Sequence, residues 1–266
     1  MSTSRVFDVA GPKQQRRVRI ITVISTLVIL VLALLAVEKL HYEAQLVGER
    51  WRVFFDANFI RFLLDGFLIT LKVCAVSVFT SAGFGILLAL GRLAPVFWLR
   101  VPATTIIEFF RAMPFLLIVF AVMFGLPSLG VTIEPYWQLV LAITVNAGAM
   151  FAELFRAGIL AIPRGQTDAA LATGLRRSEV FGSVVFPQAV RNTAPALLSQ
   201  AVRVIKESSL GYIVGVAELL NNARVVSEFT GNFIQAYLAA GVLFILVNTV
   251  VSSIGARLSA WESRRR

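Results

Sequence analysis

Charged side chains that interrupt long apolar runs are the residues of this chain best placed to do chemistry, because charge is costly in hydrocarbon and persists there for a pathway or a partner. Three groups meet that description. Glu108 and Arg111 stand three apart, as do Glu153 and Arg156, so each pair shares a helical face, while Arg203, Lys206 and Glu207 fall within about one turn. The chemistry open to them is recognition: separated positive and negative charges lining a polar pathway can receive the carboxylate and ammonium ends of an amino acid. The two i,i+3 pairs can equally neutralise one another and serve packing, which needs no ligand. Arg203 and Lys206 outnumber Glu207, and the basic excess can meet an anionic group or snorkel to a nearby interface. Covalent and metal chemistry find little support. His41 has no cysteine or second histidine near it, the single cysteine Cys74 reads as a small core residue, and no Gly-x-x-x-x-Gly-Lys-Ser/Thr phosphate loop is present. ATP hydrolysis by this chain is therefore not expected.

The elements that position these charges follow from composition. With 58% hydrophobic and 15% charged residues in 266 positions, and a mean hydropathy of +0.80, an ordinary soluble domain is excluded. A membrane-spanning helix needs about 20 apolar residues. Six such stretches are expected, at residues 20–37, 66–91, 103–125, 136–161, 194–216 and 233–256, giving an all-α polytopic membrane protein. Residues 38–65 read as an interfacial connector on the outer side. The net charge of +10 is no sign of nucleic acid once its residues are sorted by loop. Basic clusters at the N-terminus, at Arg92 to Arg100, at Arg164 to Arg191 and at the C-terminus all fall on one side, which the positive-inside rule makes cytosolic, with both termini there. Gly83 and Gly85 are expected to permit close helix contact.

Residues 167–187 stand apart as a polar, basic stretch between apolar segments. Thr167 is suited to cap a short helix with Asp168 at its positive end, Ala169 and Ala170 are small enough to lie against a partner, Gly174 allows a turn, and residues 179–185 can form a second short helix. A knob protruding into the cytosol is the expected result.

The spacing of that stretch resembles the signature of permease subunits of ATP-driven importers: Glu-Ala-Ala, three residues, Gly, nine residues, Ile-x-Leu-Pro. Here it reads Asp168-Ala169-Ala170, Gly174, Val184-x-Phe186-Pro187. Three more stretches look like those of the polar amino-acid branch. Residues Glu108-Phe-Phe-Arg-Ala-Met-Pro114 resemble Glu-x-x-Arg-Gly-Thr-Pro, Phe151 to Ile159 with Gly165-Gln166 resemble the branch's Glu-x-x-Arg-Gly-Gly-Ile and Gly-Gln run, and Lys206-Glu-Ser-Ser-Leu210 resembles Lys-Asp-Thr-Ser-Leu. Ala112, Met113, Met150 and Ala157 depart from the usual Gly, Thr, Tyr and Gly, so a pocket there would differ in shape.

The resemblance implies a type I importer permease fold, with residues 1–61 as cytosolic tail, first span and outer connector, and residues 62–266 as a five-helix core with its coupling loop at 163–191. It implies that Asp168, Ala169, Ala170, Gly174 and Pro187 engage a cytosolic ATPase dimer, and that ATP and magnesium belong to that partner rather than to this chain. A second permease chain, identical or related, and an external solute-binding protein complete the expected assembly in the cell membrane. Arg111, Glu153, Arg203, Lys206 and Glu207 are the candidate pathway residues, with glutamate or another acidic or polar amino acid as the expected cargo. An ion-coupled secondary transporter of small polar solutes is the alternative. It also accommodates six spans and buried charge, but leaves the spacing from Asp168 to Pro187 accidental.

Overall fold

The computed structural model describes residues 11–263, so Arg5, Arg264, Arg265 and Arg266 lie outside it. Its described residues are helical with no strand, and they divide into two compact units, residues 1–55 and 56–266.

The first unit holds α1 (Pro12–Tyr42), α2 (Gly48–Trp51) and a 3-10 turn (Arg52–Phe55). Proline in the first turn costs no intrahelical hydrogen bond, so α1 can start at Pro12 and run into the apolar segment without a break. Its apolar residues lie on every side and remain exposed, the pattern of a helix solvated by lipid.

The second unit holds the remaining helices. Helix α3 (Ala57–Leu93) begins nine residues before the expected span, because the Asp56 carboxylate accepts hydrogen bonds from the backbone N–H of Asn58 at 2.8 Å and of Phe59 at 3.5 Å. The end of the expected connector is therefore helix. Next comes α4 (Phe97–Ala112), which stops where Met113 is held extended before Pro114. The chain resumes as α5 (Phe115–Phe120), a π-helical turn (Ala121–Gly125) and α6 (Leu126–Ser128), at 109° to α4. The third expected span is thus broken. Pro114 has no N–H to give the Phe110 carbonyl, and Asn146 of α7 (Pro135–Leu160) donates to it instead at 3.2 Å.

Helices α3 and α7 form the centre of the core with Val73, Leu88, Leu139, Ile143 and Phe151 among its buried residues. A Cβ on Gly85 would lie 2.6 Å from the Phe151 Cβ and 2.9 Å from the Gly148 carbonyl, so the two helices touch through that glycine. Gly83, expected to share this role, faces open space.

After α7 come α8 (Arg164–Ala172), α9 (Arg177–Val180) and a second π-helical turn (Phe181–Val185), then α10 (Phe186–Ser208) and a 3-10 turn (Ser209–Val214). Helix α10 occupies the place of the fifth expected span but begins earlier. It is long enough to cross, yet with Arg191, Arg203, Lys206 and Glu207 it is too polar to be counted among the apolar spans. By length and composition α1, α3, α7 and α12 (Phe233–Ser263) qualify, with the bent α4–α6 segment as a fifth.

Between α10 and α12 lies α11 (Leu219–Thr230), fixed to α3 by buried polar groups. Glu218 caps it, accepting from the backbone N–H of Leu220 at 2.9 Å and of Asn221 at 2.8 Å. Thr70 of α3 accepts from the Leu219 N–H at 3.0 Å, and Asn222 donates to the Phe62 carbonyl at 2.8 Å.

Candidate translocation site and coupling surface

The charges flagged in the sequence assemble into two groups. In the first, Arg92 reaches Glu108 at 3.0 Å and also pairs with Glu153, joining α3, α4 and α7. Glu153 holds Arg156 at 2.9 Å, and Glu108 lies 3.6 Å from Arg111. The two i,i+3 pairs thus form as expected, but they are linked by Arg92, which the sequence marks only as part of a basic cluster on the cytosolic side. No local signal identifies Arg92, because its partners lie on other helices. The guanidinium suits this position: it presents several donors in a rigid fork, so it can serve two carboxylates at once. Three cations meet two carboxylates, leaving one unit of positive charge.

In the second group Arg203 donates to Glu207 at 2.7 Å, an i,i+4 pair whose carboxylate is mostly buried. The basic excess expected of Arg203 and Lys206 therefore narrows to Lys206. Its ammonium is exposed, and among the described residues it has neither an ion-pair nor a hydrogen-bond partner. It borders a cavity of about 500 Å³ between α10, α11 and α12, together with Ser209 and Leu220. Of the expected pathway residues, Arg111 and Glu153 belong to the first group and Arg203, Lys206 and Glu207 to the second. No ion pair or hydrogen bond among the described residues joins the two groups.

The polar stretch after α7 folds into a small body of its own. Ile162, Val180, Val185 and Ala189 form its buried centre, against which Ala170 and Leu171 pack. Thr167 does not cap a helix. Proline 163 sets the extended entry, α8 starts at Arg164, and Thr167 and Asp168 lie inside it. Asp168 and Ala169 are exposed, and Ala170 is half-buried. Gly174 has φ +88°, a conformation that L side chains rarely adopt, and it turns the chain from α8 towards α9. The Glu179 carboxylate accepts from the Arg176 backbone N–H at 2.7 Å and fixes the start of α9. Pro187 directly follows the π-helical turn, in a chain that stays helical from α9 into α10, so its missing N–H falls within that continuous helix, and Phe186 beside it packs on Phe155 and Phe181. The knob is thereby attached to the ends of both α7 and α10, and exposes Asp168, Ala169 and Gly174.

Residues 81–263 match the family described as the inner membrane component of binding-protein-dependent transport systems. The chain belongs to that family. Its relatives place it with the polar amino-acid permeases of ABC importers, as a multi-pass protein of the cell membrane. It is 32% identical over 212 residues to a probable glutamine ABC transporter permease protein, GlnP of Bacillus subtilis, covering 79% of this chain and 97% of the relative. It is also 32% identical over 220 residues to the glutamate transport system permease protein GluD of Corynebacterium glutamicum, covering 81% of each. Among solved structures, an amino acid ABC transporter crystallised with histidines superposes with a TM-score of 0.71 at 26% identity, over 76% of this chain and 95% of that one. The inward-facing MetNI methionine transporter gives 0.64 at 22% identity, over 77% and 98%, and shows the shared type I importer permease fold.

Proposed function

We propose that this chain, paired with a second permease chain, forms the translocation pathway of an importer for glutamate or another acidic or polar amino acid. Two ATP-hydrolysing subunits dock on the knob formed by α8 and α9, holding the ATP and magnesium themselves, and a binding protein delivers cargo on the other side. Both termini are cytosolic in this arrangement. When the ATPases close, the two knobs approach. Because each knob is anchored at the ends of α7 and α10, that movement reaches the spans as rigid-body motion of packed helices. Acidic cargo is supported by one observation above all: Lys206 presents an ammonium without a counter-ion at the wall of a cavity, while the other basic groups of both clusters have carboxylate partners. The glutamate and glutamine permeases among its relatives accord with this reading.

The test is ATP hydrolysis by the reconstituted complex, with its binding protein, across a panel of single amino acids. Stimulation by glutamate or aspartate is the expected result. Stimulation by a basic or neutral amino acid alone would retain the importer and remove the acidic cargo, and absence of any ATPase partner would return the chain to the secondary-transporter reading.

A further inference from the structure

The first two turns of α1 carry a concentration of charge that amino-acid import does not use. Lys13, Arg16, Arg17 and Arg19 are exposed, and no acidic side chain occurs from residue 9 to residue 37. Arg5 and Asp8, which precede the described residues, cancel in formal charge. Lys13, Arg16 and Arg17 stand at i, i+3 and i+4 on one face of the helix, and Arg19 widens that face. Arginines elsewhere in the chain find a carboxylate within a turn, as in Arg52–Glu49, Arg203–Glu207 and Arg224–Glu228. Among the described residues none of the four cations of α1 has an ion-pair or side-chain hydrogen-bond partner.

What surrounds these side chains follows from the length of the helix. Helix α1 is unbroken over 31 residues, about 46 Å at about 1.5 Å per residue. Its uncharged stretch, residues 20–37, spans about 27 Å, which matches a hydrocarbon layer about 30 Å thick in a bilayer of about 40–45 Å overall. With that stretch in hydrocarbon, Lys13 to Arg19 cover about the next 10 Å of the same rod and stand at the level of the lipid phosphates. Tyr42 at the other end is exposed, an aromatic of the kind that settles among headgroups, so both ends agree on the depth of the helix. The most apolar stretch of α1 has no residue buried by protein, so what meets the four cations at this depth is lipid. The next acidic group along the helix, Glu38, is about 28 Å from Arg19, several screening lengths away.

We infer that Lys13, Arg16, Arg17 and Arg19 form a basic collar that binds the headgroups of anionic phospholipids. Uncompensated cations held at phosphate level concentrate anionic lipid around them, and the guanidinium groups match phosphate oxygens with paired donors. The same charges orient the chain during insertion, and they remain among the headgroups afterwards. The inference goes beyond import, since the collar lies outside the family match at residues 81–263. It rests on the proposed orientation only for which leaflet supplies the lipid.

The test places a fluorescent unnatural amino acid at Gln15 in the full chain and reconstitutes the permease–ATPase complex in phosphatidylcholine bilayers. Quenching is compared for phosphatidylglycerol and phosphatidylcholine that carry the same spin-labelled acyl chain, present in both leaflets so that orientation does not matter. At low salt the anionic quencher should associate at least about threefold more strongly than the zwitterionic one. That preference should approach unity in about 1 M salt, where the screening length falls to about 3 Å. Replacing all four residues by glutamine should bring it to about 1.5-fold or less at low salt. Changing Arg16, Arg17 and Arg19 to lysine keeps the charge and should keep the preference, and with the salt titration it decides the matter if the glutamine variant fails to insert. Equal quenching by the two lipids in the wild type, a preference that survives neutralisation, or its loss in the lysine variant overturns the inference. Equal quenching together with loss of the ATPase on neutralisation would give the collar to an acidic protein surface instead. Cargo-stimulated hydrolysis, measured separately, tests the importer, so either reading can fail without the other.

Discussion

Removing Arg92 and removing Glu153 break the same ion pair but leave different residues behind. Without Arg92, Glu108 still has Arg111 and Glu153 still has Arg156, so both carboxylates remain partnered. Without Glu153, Arg92 keeps Glu108 while Arg156 loses its only ion-pair partner among the described residues. Both side chains are mostly buried, 22% exposed for Arg92 and 20% for Glu153, so the cost of each change is set by whether it leaves a charge between helices without a partner. Arg92→Leu should therefore lower stability by about 1 kcal/mol or less, and Glu153→Leu by about 2–3 kcal/mol. Thermal unfolding of the detergent-solubilised complex measures both. The reverse ranking would make Arg92 the hub on which the other pairs depend, and would move the centre of the network from α7 to α3.

The knob is the element whose contribution can be separated from the membrane core. Its turn depends on Gly174, where a side chain meets no neighbour but must adopt a left-handed backbone costing about 1–2 kcal/mol for most residues. Asparagine and aspartate tolerate that conformation best, so Gly174→Asn and Gly174→Asp differ mainly in charge on an exposed surface. Gly174→Asn should keep the ATPase bound in co-purification, whereas Gly174→Asp should lose most of it while the permease still inserts. Equal retention by both would remove the knob as the docking surface. How much of an element can be read in advance depends on whether its cause is local. The apolar runs of α1, α3, α7 and α12 and the turn at Gly174 are visible one residue at a time, and Pro114 marks a break that hydropathy averages away. The early start of α3 at Asp56 follows from a cap that an apolar window does not weigh. Arg92, and the Asn146 amide that serves the Phe110 carbonyl, take their roles from helices distant in sequence, so nothing beside them indicates their partners. The same holds for Lys206, whose place at the cavity wall depends on how α10, α11 and α12 pack.

At the scale of the whole molecule, the two units carry different physical burdens. Residues 56–266 contain the buried core, both charge groups, the cavity and the knob, and the family match falls entirely within them. The GlnP relative is covered over 97% of its length by 79% of this chain, so about a fifth of the chain has no counterpart in that alignment. Helix α1 has apolar residues on every side, so lipid alone can satisfy it, and its hydropathy suffices to anchor the chain. A variant lacking residues 1–55 should accordingly insert and bind its ATPase, and should keep at least about half of the cargo-stimulated hydrolysis, because no catalytic or pathway residue is lost. Removing one crossing should also move the new N-terminus to the outer side, since the basic loops at Arg92 to Arg100 and Arg164 to Arg191 remain and continue to hold the core in its original sense. Reporter fusions at both ends, with hydrolysis measured in the reconstituted complex, test the two expectations together. An outer N-terminus with retained hydrolysis would make α1 an added anchor. Correct insertion with hydrolysis lost would show that the first unit braces the moving core, and would place a second, lateral contact in the assembly.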